Sequence, residues 1–129
     1  MRLSEKHGQS TVELALILPF LLLVLFAIME FGRIFSSYLI ITNAAREGAR
    51  QASIGADNNA IIQTVRGAAY PLNSGSLTIN IDPYNKSERI TGSTARVTVN
   101  YSVDILIPLV GRLLPDPFPL TAQAAMRVE

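Results

Sequence analysis

From Leu14 to Met29 every residue except Pro19 is plainly apolar, and twelve of these sixteen positions are Leu, Ile, Phe or Val. At a helix centre each such side chain is worth about −0.3 to −0.6 kcal/mol on an insertion scale, so the run totals about −4 to −7 kcal/mol before Pro19 and the flanking acids are set against it. Insertion into a bilayer wins. At about 1.5 Å per residue the run covers about 24 Å, a little short of a hydrocarbon core. Phe31, Ile34 and Phe35 extend it to a transmembrane part of about 14–35, provided that Glu30 and Arg33 pair at i,i+3 or snorkel. A buried core helix of a soluble protein is the poorer reading, because so small a domain could not cover it.

Past the oily run the pattern stays helical. Ile34, Phe35, Tyr38, Leu39, Ile41 and Ala45 recur at helical spacing, and Gly55 is the expected stop, giving one long helix over 9–55. Ala44, Gly48, Ala52 and Ala56 form a small-residue stripe along it, suited to close helix packing against the chain's own sheet or another subunit. Arg46, Glu47 and Arg50 read as a solvated face with a Glu47–Arg50 pair. A second, short helix follows in "ADNNAIIQTVRGAA", capped by Asp57 or Asn58, with Ile61, Ile62 and Val65 as its apolar face.

The period then changes to two. Leu77, Ile79 and Ile81 alternate with polar residues, as do Ala95, Val97, Val99, Tyr101 and Val103. A third strand is expected from Leu120 to Val128, with Ala122, Ala124 and Met126 on one face. The oily, proline-rich "ILIPLVGRLLPDPFP" between the last two strands has three readings: core burial, which comes first for a small domain, a patch on the membrane, or a contact for another protein. The expected fold class is α+β: a long N-terminal helix, half in the membrane, and a small head over 56–129 with a three-stranded antiparallel sheet.

Composition removes most chemistry. Eleven Lys+Arg against ten Asp+Glu give no basic face for nucleic acid. There is no Cys, and the sole histidine, His7, precedes the oily run in the expected leader, so zinc sites and Cys–His or Ser–His catalysis in a mature protein are out, and no phosphate loop appears. Asp82 with Glu88, or Asp104 with Asp116, are the only carboxylate pairs available to the head, and both read as turn and solvent residues. No catalytic residue, metal or cofactor is expected.

The N-terminus holds the sharper signal. A short leader, residues 1–8, carries Arg2 and Lys6 and ends on Gly8; then come Gln9, Ser10, Thr11, Val12 and Glu13 before the oily helix. No convincing small-x-small site follows the run, as an ordinary secretory signal requires. The Lys/Arg balance does not set orientation, since Arg33, Arg46 and Arg50 follow the helix. The Gly8–Gln9 junction with an acid at Glu13 resembles the processing site of type IV prepilins, which a membrane peptidase cuts after the glycine. A carboxylate at the edge of a hydrophobic helix is costly unless paired, and in a helical filament a neighbour's terminal amine can pair it.

With "TNAAREGARQAS" and the terminal "LTAQAAMRVE", the N-terminal stretch resembles the TadE-like family, the minor pilins or pseudopilins of tight-adherence (Flp-type) pilus systems. Two features depart from ordinary type IV pilins: Gln9 stands where they have Phe, and Pro19 lies early in the helix, where it should bend it. The resemblance implies processing at Gly8 and Gln9, subunit assembly through Glu13, and a single-pass bacterial inner-membrane protein with its head outside. Its partners would be a prepilin peptidase, other pilins, assembly-platform proteins and membrane lipid. Two rivals stand beside it: an uncut, signal-anchored binding module, and an exported soluble protein cut beyond Met29.

Overall fold

The computed structural model describes the backbone of residues 2–129 and the side chains of residues 6–129; Met1 and the Arg2 side chain of the expected leader lie outside the described residues. Helix α1 runs without interruption over Arg2–Ser53, with Pro19 inside it. Its end is written by Gly55, whose φ of +80° is left-handed. The Ala56 amide donates to Gln51 O and the Gly55 amide to Ala52 O, at 3.1 and 3.2 Å. This Schellman pair satisfies two carbonyls of the last turn, and glycine alone adopts that conformation without strain.

Helix α2, Asn58–Ala68, follows at once, with Asp57 as its N-cap accepting from the Ala60 amide. Three antiparallel strands complete the head: β1 at Leu77–Asp82, β2 at Thr94–Val103 and β3 at Phe118–Arg127, in the order β1-β2-β3. The third strand starts earlier than its alternation suggested, because β2 continues to Val103 and pairs it with Phe118.

One face of the sheet packs on α1. Ala95, Val97 and Val99 of β2 are fully buried against Ile41, Ala44, Ala45, Ala49 and Ala52 of α1, with Ile61 and Val65 of α2 closing the side. On β3 the partners of Val97 and Val99 are Ala124 and Ala122, small residues that leave room for the helix. The core therefore lies between the second half of α1 and the sheet. At about 25 cal/mol per Å² of apolar area, this burial is the main favourable term holding the head to its helix.

Two expectations fail. The 105–119 stretch is not in the core: as far as Pro117 it forms a loop with one short turn, α3, over Pro108–Gly111, Phe118 and Pro119 open β3, and none of its apolar residues is buried. The core is already filled by the helix alanines and strand valines, so no space remains for it. The Glu47–Arg50 pair does not form either; Arg33–Glu30 is the only ion pair among the described residues. Glu47 is half-buried while Arg50 is exposed, so the two side chains do not share one solvated face.

Candidate functional site

Gly8 and Gln9 lie within α1 and are exposed, as is Glu13. Every side-chain hydrogen bond here is local to the helix. Gln9 Nε2 donates to Glu13 Oε1 at 3.1 Å, while the Ser10 and Thr11 hydroxyls donate back to Lys6 O and His7 O. A Cβ at Gly8 would meet nothing within 4 Å, so packing does not require glycine there, although a glycine inside a helix costs about 0.5–1 kcal/mol relative to alanine. The stretch makes no recorded hydrogen bond to the head. Its residues are free for an outside partner.

The apolar run beyond Glu13 is just as uncovered. An 18-residue window of this helix has a mean hydropathy of 2.8 and no buried residue, and α1 is the one helix among the described residues long and apolar enough to cross a membrane. Apolar side chains occupy every face of the helix, as a lipid-surrounded span requires.

Where the run ends the helix meets the head. Glu30 is 1% exposed although it is charged. Arg33 Nη1 donates to its Oε1 at 2.6 Å, and the Leu106 amide reaches the same oxygen from the loop at 3.4 Å. Arg33 Nη2 also donates to Asp104 O at 3.3 Å. Together these tie the loop after β2 to the top of the oily segment. A Glu30–Arg33 pair follows from i,i+3 spacing; the hold on a segment more than seventy residues away does not. Beside it an open cleft of about 480 Å³ is lined by Arg33, Ser37, Asn73, Tyr101 and Asp104.

Further along α1, Ala44, Gly48 and Ala52 face inward. A Cβ on Gly48 would lie 2.5 Å from Val65 Cγ2 and 3.1 Å from Val97 Cγ1, so α2 and β2 both press on that position. The small-residue stripe is occupied by the chain's own head.

Asp116 of the acidic candidates is structural: its Oδ1 accepts from the Ile105 amide at 3.2 Å, closing the loop's neck. Glu88 accepts from Asn85 Nδ2 at 2.7 Å. Among the described residues no cluster of His, Cys, Asp or Glu could hold a metal ion. Arg89 went unnoticed in the sequence. It is buried, its Nη1 donating to Asn58 Oδ1, Pro83 O and Tyr84 O and its Nη2 to Ala56 O, so it clamps the β1–β2 connection to the α1–α2 junction. Its signal is one cation in a polar turn, with nothing local to distinguish it from Lys86.

No curated protein and no solved structure matches the chain. Residues 8–50 match the family model described as TadE-like protein, a span that opens on Gly8, takes in Glu13, the oily run and Glu30, and stops short of the head. Over that stretch the chain is similar to the TadE-like family, the one its N-terminal motifs resemble.

Proposed function

We propose that this protein is a minor pilin, or pseudopilin, of a tight-adherence pilus. A prepilin peptidase cuts it after Gly8, and the retained helix holds it in the bacterial inner membrane with the head outside. The observation that carries the reading is the TadE-like match opening on Gly8, joined to a helix whose apolar first half has an 18-residue window with no buried residue and whose second half is the spine of the head. A rod shared in this way transmits any packing of the apolar half directly to the head. Glu13 then acts by meeting the terminal amine of a neighbouring subunit, taking over from the Gln9 amide that it now accepts from. The role is structural rather than catalytic, and its purpose is pilus assembly and surface attachment.

The test is the N-terminus of the full-length protein extracted from membranes with and without an active cognate peptidase. The reading expects a peptidase-dependent start at Gln9 that Gly8→Leu abolishes. A start at Met1 under the same conditions supports an uncut anchored module, and a start beyond Met29 supports ordinary export.

A further inference from the structure

The loop between β2 and β3 lies alongside the oily half of α1, not over the head. Leu109 and Val110 share an apolar cleft of about 510 Å³ with Pro19, Leu22, Leu23 and Phe26. A second cleft, of about 140 Å³, lies between Leu113 and Leu114 on the loop and Ala27 and Phe31 on the helix. Pro19, Leu22 and Leu23 lie about 16, 12 and 10 Å along the helix from Glu30, at the usual rise per residue. One leaflet of hydrocarbon is about 15 Å deep.

We propose that residues 105–114 form a re-entrant loop inserted into the leaflet on the head side of the membrane, with lipid acyl chains as its partner. This rests on α1 being membrane-spanning. At the height of the loop, α1 is exposed on its other faces, so the medium that surrounds the helix also meets the outward side of the loop. Leu106, Leu109 and Leu113 of the loop are 67%, 51% and 83% exposed to that medium, Leu109 and Leu113 at the mouths of the clefts shared with α1.

Most of the backbone donors of 105–114 are paired within the protein. Non-helical backbone at membrane depth needs its amides paired or removed. Ile105 and Leu106 donate to the Asp116 and Glu30 carboxylates at the neck. The amides of Gly111, Leu113 and Leu114 donate to loop carbonyls and Pro108 has no donor, which leaves the Ile107, Leu109 and Val110 amides at the start of α3 without a partner among the described residues. The one charge within the loop, Arg112, is exposed on a long stem that can carry its guanidinium back to the lipid phosphates. Buried Glu30 is thus the hinge post of a second membrane anchor, and a subunit leaving the bilayer must withdraw this loop together with its helix.

The chain contains no cysteine, so single-cysteine variants label at one place. Full-length Leu109→Cys, Leu113→Cys, Phe26→Cys and Thr91→Cys variants would carry a nitrobenzoxadiazole label. They would be reconstituted in phosphatidylcholine–phosphatidylglycerol vesicles and quenched with bromine on the acyl chains or iodide in the water. The expected result is strong acyl-chain quenching at Leu109 and Leu113, matching Phe26, with most of the iodide quenching seen at Thr91 lost. Loop labels that behave like Thr91 while Phe26 is quenched by bromolipid overturn the loop insertion alone. Loop labels shielded from both quenchers also overturn it, in favour of a second protein copy. A Phe26 label open to iodide overturns the membrane span and the loop together.

Discussion

At Gly48 a hydrogen takes the space that any other side chain would contest with Val65 and Val97. Gly48→Ala gains about 0.5–1 kcal/mol of helix propensity and meets an overpacking cost of about 1–3 kcal/mol, so a net loss of about 1 kcal/mol is expected. Removing the methyls it strikes should recover that loss. In denaturant unfolding of the detergent-solubilised protein, Gly48→Ala with Val65→Ala should be less destabilised than the sum of the single variants by about 1 kcal/mol. Strict additivity would show that the Val65 methyl is not what limits the position. Glu30 works by the opposite physics, because its side chain is needed rather than excluded. Glu30→Ala leaves Arg33 without its partner and the Leu106 amide without an acceptor, at a cost of about 2 kcal/mol. Glu30→Gln keeps a carbonyl oxygen there and should retain most of the amide's protection in hydrogen exchange. Equal loss of protection in both variants would mean that charge, not acceptance, holds the loop.

Among the elements, what was legible is what local chemistry decides. Gly55 after an alanine-rich helix, Asp57 before Ile61 and the strict alternation from Ala95 to Val103 each specify an end or a face within a few residues. The Arg89 clamp, the burial of Glu30 and the course of the 105–114 loop depend on residues tens of positions apart. Composition pointed the loop inward, since apolar side chains in a small domain usually seek the core. The geometry of α1 decided otherwise by continuing past the head as an uncovered apolar rod. The α1–α2 junction tests the local part. Gly55→Ala forces a side chain into the left-handed region at a cost of about 1–2 kcal/mol, and Asp57→Ala removes the cap of α2 at about 1 kcal/mol. Both should lower the unfolding midpoint of the head while leaving the helix signal of the oily half unchanged in circular dichroism.

On the scale of the whole molecule the head is not a self-sufficient unit placed at the end of a rod. Ile41, Ala45 and Ala49 of α1 are as deeply buried as Val97 and Val99 of the sheet, so the head's core includes a stretch of helix that precedes it in sequence. A fragment of residues 56–129 would leave one sheet face and the inner side of α2 bare. It should not fold, because three strands and one short helix supply one wall of a core without the other. A fragment of residues 34–129 keeps both walls and should give a cooperative transition in mild detergent, with the amides of β2 protected from exchange. Cooperative folding of 56–129 alone would mean that α1 only leans on the head, and motion of the oily half could then be decoupled from it. Failure of 56–129 beside success of 34–129 places the mechanical joint below Ile34, at the level of Glu30 and Arg33. There the helix passes from an exposed apolar stretch to one packed against the head, and the Glu30 tie to Leu106 makes any bend at that level a movement of the loop as well.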